Sequence, residues 1–318
     1  MVRPSEVTRS AETAAADWIG PRLGEFGNTV TSVVPKGFES YARVLHPAGS
    51  VGEVGPVRWR DVAKWSGLPL RSNGQFHSVA LPPEAPQGEA PWSGSPRLGR
   101  LTEADAERLV ALLQQWTSTP GECWFALWDG YGWQTQRDRR EPRVHLPNRD
   151  YLLYAGPVGA VATTTSFDEG RQTPNLWWPA DEAWCVASEI DLPWTYIGGS
   201  TGMVERLVGD RQIEALAIGP DEPIGRIEEW VMTWADRAIE ELWASGESTI
   251  VTPAGTVEVF LTRPGRIRGG SLRTVTSRPN GGSGSSWAAL GKLPPDRLRG
   301  NVADYVTSAV VGLVESSP

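Results

Sequence analysis

Long apolar runs, cysteine, histidine and basic residues are all scarce in this chain, and each scarcity closes off a class of function. No apolar stretch in the 318 residues approaches the roughly 18 needed for a membrane-spanning helix, so no membrane role is expected. The opening residues, MVRPSEVTRSAETAAADW, lack the apolar core of a secretory signal, which points to a cytoplasmic protein. Only two cysteines occur, Cys123 and Cys185. Each sits beside a tryptophan in an apolar run and reads as a buried thiol of a reducing compartment. The three histidines, His46, His77 and His145, stand far apart with no paired spacing. A structural zinc centre needs four ligands in clusters, so no metal is expected. The phosphate-loop pattern GxxxxGK[ST], the dinucleotide pattern GxGxxG and the nucleophile elbow GxSxG are all missing, and no cofactor is expected either.

Positive charge is short as well: 30 Lys and Arg against 38 Asp and Glu leave a formal net charge of −8. The shortfall is uneven. Residues 262–300 hold Arg263, Arg266, Arg268, Arg273, Arg278, Lys292, Arg297 and Arg299 against Asp296 alone, about +7 locally and about −15 for the rest. An acidic body argues against wrapping DNA. The basic tract, RPGRIRGGSLRTVTSRPNGGSGSS, offers no aromatic residue to stack on a base before Trp287. It reads as a mobile arginine-rich loop, and nucleic acid is not the expected partner.

What the chain has in excess is tryptophan, 16 residues against six Phe and six Tyr. Tryptophan joins a large apolar area to one N–H that wants a partner, so it serves cores, interfaces and stacking sites alike. The periodicities indicate an α+β protein, with a mixed sheet of internal apolar strands flanked by helices. Thr102 can cap a helix with Asp105 at the capping-box position, followed by an apolar stripe of Leu109, Leu112, Leu113 and Trp116. "CWFALWDGYGW" is apolar on both faces and reads as an internal strand. "TVTSVVPKGFESYARVLHPAG" reads as two extended segments broken at Pro35-Lys36-Gly37. Further strands are expected at "RDYLLYAGP", "AWCVASEI" and "IEALAI". A main domain over residues 18–222 is then followed by a C-terminal extension, residues 223–318. There an amphipathic helix, a hairpin at "STIVTPAGTVEVFLT", a flexible tract at 280–286 and a closing helix are expected.

The densest passage is "WWPADEAWCVASEIDLPWTYIGGSTG", residues 177–202, with four tryptophans and four carboxylates. If 184–191 is one strand, Glu189 and Asp191 share a face about 7 Å apart, a spacing suited to an inverting acid/base pair. The plainer alternative is a core strand whose end turns polar in solvent. Gly198, Gly199, Ser200 and Thr201 lead into a helix whose free N–H groups would hold a small anion, with Arg206 as an auxiliary charge. Capping by Ser200 or Thr201 explains the same residues.

The segments "VPKGFESYARVLHP", "CWFALWDGYGW", "LPNRDYLLYAGP" and "WWPADEAWCVASEIDLPWTYIGGS" resemble a family of uncharacterised actinobacterial proteins, over roughly residues 18–218. The resemblance implies one main domain and a C-terminal extension, and carries no catalytic role to any residue. Two readings of function result. The first is a non-catalytic cytosolic binding protein with a protein partner, since no catalytic or cofactor motif is complete and tryptophan exceeds the needs of one core. The alternative is a hydrolase or transferase with its base at Glu189 or Asp191 and an anion cradle at Gly198–Thr201.

Overall fold

A computed structural model describes residues 7–27, 29–50, 55–80, 90–131, 142–147, 149–163, 166–167, 170–224, 237, 239–252, 255–262, 270–277, 283–291, 306 and 309. The chain divides into two compact units, Met1–Trp59 with Pro96–Ile224, and Arg60–Ser95 with Gly225–Pro318. No helix among the described residues is long and apolar enough to cross a membrane.

The first unit is built on a nine-stranded sheet. Its strands in chain order are β1 (Thr8–Arg9), β2 (Ser40–Leu45), β3 (Cys123–Trp128), β4 (Val144–Leu146), β5 (Arg149–Gly156), β6 (Leu176–Pro179), β7 (Cys185–Ala187), β8 (Trp194–Gly199) and β9 (Ala215–Ile218). They lie side by side in the order β1, β5, β3, β6, β7, β8, β2, β9, with β4 paired to β5. Helices and a large sheet make the fold α+β, as expected. The sheet itself is antiparallel at every pairing rather than mixed. Short links such as 188–193 can only reverse the chain, because a parallel neighbour needs a crossover of a dozen or more residues.

Both faces of the central strands are covered, which is why their sequences read as apolar throughout. On one face Phe125, Trp177, Val186, Ile197, Ala42 and Val44 form a row. Leu109, Leu112 and Leu113 of the Glu103–Leu113 helix, and Met203, Val204 and Leu207 of the Thr201–Val208 helix, join this cluster. The Trp177 and Trp184 rings meet edge to face at 5.3 Å, and the Trp184 indole N–H donates to the Leu113 carbonyl at 3.1 Å. Thr102 caps the first helix by accepting from the Asp105 backbone N–H, and its hydroxyl donates to the Asp105 carboxylate at 2.7 Å. Trp116 departs from the expected stripe. The helix passes into a 3-10 turn at Gln114, and the Trp116 ring, partly exposed, lies over Gly202 instead. Cys123 and Cys185 are free, buried thiols, and burial pushes the Cys123 thiol up to about 12.

On the other face Arg43 is fully buried. Its guanidinium stands 3.7 Å from the Trp194 ring and 5.4 Å from that of Trp59. The Trp59 indole N–H donates to the His46 carbonyl, and its backbone N–H to the Glu214 carboxylate, both at 2.7 Å.

Two extended segments expected from the sequence take other forms. Val30–Ser32 is a 3-10 turn, its start held by Val30 N–H donating to the Glu222 carbonyl. The strand expected over 184–191 ends at Ala187. The chain turns through 188–193, closed by Leu192 N–H donating to the Glu189 carbonyl at 3.1 Å. Pro193 has no N–H to continue a ladder.

In the second unit Trp92 packs edge-on against Trp65 and Phe76, at 5.1 and 5.9 Å. The expected hairpin is present as β10 (Glu247–Thr252) and β11 (Gly255–Thr262). It belongs to a four-stranded antiparallel sheet completed by β12 (Gly270–Ser277) and β13 (Ser283–Gly291). The described parts of the basic loop and of the flexible tract are therefore strands. The cause is a period-two pattern under the arginines: Leu272 and Thr274 are buried beside Val257 and Val259, while Arg273 is exposed. Residues 237 and 239–245 are helical, as are Val306 and Ala309. The remainder of the two expected helices, and Arg263, Arg266, Arg268, Arg278, Lys292, Arg297 and Arg299, lie outside the described residues.

Candidate functional site

Glu189 and Asp191 sit in the turn between β7 and β8, not on one strand face. Arg149, at the start of β5, donates through Nη2 to Glu189 at 2.6 Å and to Asp191 at 3.4 Å. The same Glu189 oxygen accepts the Ile190 N–H at 3.0 Å. Glu189 and Arg149 are largely buried, whereas the Asp191 side chain is 75% exposed. The guanidinium also lies 5.2 Å from the Trp128 ring. Glu189 is thus held as the anionic partner of a cation. Beside it is a cavity of about 20 Å³, room for about one water. Tyr151, Asn175 and Ser188 line it too. Burial, reinforced by the Glu189 charge, raises the Tyr151 hydroxyl well above its ordinary value.

Ser188 ends a buried chain of hydrogen bonds. The Arg97 carbonyl can only accept, so His46 Nδ1 donates to it at 2.7 Å. His46 Nε2 therefore accepts from the Thr195 hydroxyl at 2.9 Å, and the Thr195 oxygen accepts from Ser188 at 2.6 Å. Burial, assisted by the Arg43 charge, lowers the His46 imidazole to about 4. Neutral His46 supplies one donor and one acceptor, as this chain requires. His145 is exposed and bonded to Asp150 at 2.7 Å. Among the described residues no three His, Cys, Asp or Glu side chains stand together as metal ligands.

The second expected cluster closes β8 and opens the Thr201–Val208 helix. Ser200 is the N-cap, accepting from the Met203 N–H at 3.4 Å. The Thr201 N–H, aimed where an anion was expected, donates to the Glu39 carboxylate at 3.0 Å. Arg206 lies in the last turn, paired with Asp210 at 3.4 Å and away from the helix start. The two glycines are explained by space: a Cβ on Gly198 would stand 2.3 Å from the Phe38 ring, and one on Gly199 2.2 Å from the Met203 methyl. Since Cys185 pairs with Gly198 and Ala187 with Tyr196, Glu189 and Gly199 stand at opposite ends of the hairpin. They are roughly 17 Å apart, about five strand steps. The acid pair and the expected anion cradle do not form one site.

A second concavity of this unit was not expected from the sequence. A groove of about 750 Å³ runs beside β9, with Val204, Glu205 and Val208 of the helix on one side and Phe38, Glu39 and Tyr41 near its end. Among the described residues strand β9 pairs with β2 alone and forms an edge of the sheet. Leu45 N–H donates to the Glu214 carbonyl, so Glu214, Leu216 and Ile218 direct their backbone groups at β2. Ala217 directs its own outward. Ala217 is exposed, and no described group pairs with its outward N–H and C=O. Beyond it the Gly219 N–H turns back to the Glu222 carboxylate at 3.1 Å.

Arg149, Glu39 and the β9 edge escaped the sequence reading. Arg149 meets Glu189 across 40 residues and Glu39 meets Thr201 across 162, and no local pattern marks either pair. The brevity of β9 and the Gly219-Pro220 behind it were the available signals of an edge. Comparison with protein-family models, curated proteins and solved structures finds no match to this chain.

Three outcomes are expected. Replacing Glu189 by Gln leaves Arg149 with a weaker partner, and the denaturation midpoint should fall by the equivalent of roughly 1–2 kcal/mol; an unchanged midpoint contradicts a structural ion pair. Gly198→Ala should destabilise by about 1–3 kcal/mol, because the rigid Phe38 ring must shift as a whole to admit the methyl. Gly199→Ala should cost less, since the Met203 methyl can rotate away, and equal losses would contradict that difference. His46 has a folded pKa of about 4 against an ordinary 6.5. Its stabilisation is therefore complete above pH 6.5 and lost as pH falls toward 4, by up to about 3 kcal/mol. His77 is depressed to about 4 as well and adds a term of its own. Denaturation between pH 7 and 4.5 should show His46→Gln losing only the His46 share of the slope, and a slope equal to wild type contradicts it.

Proposed function

We propose that the chain is a non-catalytic binding protein that takes a segment of a partner protein along the open edge of its nine-stranded sheet. The observation that carries this reading is Ala217, exposed, with backbone groups aimed away from β2 and unpaired among the described residues. Natural edge strands are usually blunted by charge, proline or a bulge. Strand β9, sequence ALAI, carries no charge or proline. The opposite edge, β1, is two residues long. An uncharged edge beside a helix and a groove is the arrangement that strand addition uses.

The alternative, a hydrolase or transferase at Glu189 and Asp191, draws on the Tyr151 hydroxyl and the polar lining of the nearby cavity. It has less support, because that cavity is the size of one water and Glu189 is engaged by Arg149. Two buried free thiols fit the cytoplasmic part of the proposal. The second unit, Arg60–Ser95 with Gly225–Pro318, enters it as a separate module. The resemblance to an actinobacterial family lends no activity to either reading.

Ala217→Pro tests the proposal. Proline deletes an N–H that the β2 ladder does not use, so the fold should lose only about 1 kcal/mol. Native mass spectrometry of gently isolated protein should show a stoichiometric companion on the wild type and none on the variant. A companion retained by the proline variant, or a wild type that emerges bare or with only a small-molecule mass, contradicts it.

A further inference from the structure

We infer that the cavity beside Glu189 is a binding site for one water molecule, held between the Tyr151 hydroxyl and the Glu189 carboxylate. Arg149 and Tyr151 stand two residues apart on β5 and so point to the same face of the sheet. Both line the cavity, together with Glu189 and Ser32. Tyr151 is only 7% exposed, and among the described residues no group is hydrogen-bonded to its hydroxyl. Burial, reinforced by the Glu189 charge, keeps that hydroxyl protonated at neutral pH, so it has a proton to donate. The Glu189 oxygen Oε1 accepts from Arg149 and from the Ile190 N–H. Its second oxygen, Oε2, has no described partner. A donor and an acceptor, both largely buried, therefore line one small space.

Size and charge select the occupant. A volume of about 20 Å³ holds one water and little more. Cavities walled only by apolar side chains stay dry, whereas a buried water needs about two to four polar partners. Val33, Leu176 and Ala187 are apolar walls here, but Tyr151, Glu189 and Ser32 bring polar atoms to the same space. An ammonium ion is of similar size. The Arg149 guanidinium, 2.6 Å from Glu189, already answers that carboxylate and would repel a second cation. A neutral molecule that both accepts and donates meets the site in full. Water can accept from Tyr151 and donate to Glu189, a bridge that serves nearly as well as a direct hydrogen bond. It would supply the partner that the buried hydroxyl needs, and would tie β5 to the turn that carries Glu189. The cavity shares no lining residue with the groove at β9, so the inference stands apart from the open-edge reading.

Oxygen-17 magnetic relaxation dispersion, which counts long-lived waters in a protein, tests the site on the full chain. Tyr151→Phe keeps the ring and removes the hydroxyl, so the count should fall by about one relative to wild type. The circular dichroism of the variant should match that of the wild type. Equal counts in the two folded proteins overturn the inference. A crystal structure of the wild type gives a second reading that no variant's folding can disturb. It should show one ordered peak within hydrogen-bond distance of both Tyr151 Oη and Glu189 Oε2. Density too large for one water would replace the water with a small-molecule ligand. A cavity without any peak overturns the site outright.

Discussion

The first unit is organised around a charge that cannot reach water. Arg43 stands near the end of the strand order, on β2 between β8 and β9, fully buried. Burial lowers its pKa to about 10, partly countered by Tyr196 and Glu222, so it stays cationic at neutral pH. The faces of Trp194 and Trp59 supply part of the solvation that water would have given. Uncovering such a buried charge from its partners typically costs about 3–5 kcal/mol. The positions of those two tryptophans are therefore tightly constrained. Trp59 is held by the His46 carbonyl and the Glu214 carboxylate. Glu214 immediately precedes β9, and Leu216 of β9 faces Arg43 in register. The edge strand is thereby fixed from behind, by its neighbours in the sheet.

That rigidity bears on function. A strand that receives a partner must hold its outward groups in extended geometry before the partner arrives, because ordering them on binding would subtract from affinity. Elsewhere in the unit, polar groups that could have met a ligand already meet the chain itself. The helix start at Thr201 has Glu39, the turn carboxylate Glu189 has Arg149, and Ser188 ends a chain running through Thr195 to neutral His46. Ala217 differs because its outward backbone groups have no such internal answer among the described residues.

Much of the local structure was legible in the sequence, because local physics decides it. The Thr102 cap, the leucines at 109, 112 and 113, the doubly apolar Cys123–Trp128 strand and the Ser200 cap each follow from residues within a few positions. Strand order was not legible. Nothing in "IEALAI" states that β9 lies outermost, which depends on where β2 comes to lie some 170 residues earlier. Residues 188–191 turn where a strand is expected, because Glu189 and Asp191 alternate with apolar residues as a strand would. Pro193 was the sign that the ladder stops. In the second unit Arg273 of β12 disguises the alternation that buries Leu272 and Thr274.

Residue-resolved amide hydrogen exchange at Ala217, compared with Leu216, tests the central claim most directly. Leu216 bonds to β2 and should be protected at all times. Ala217 should exchange rapidly in the isolated chain and become protected when a partner is bound. An Ala217 amide already protected in isolation would mean that the edge is covered by the protein itself, and would contradict the account.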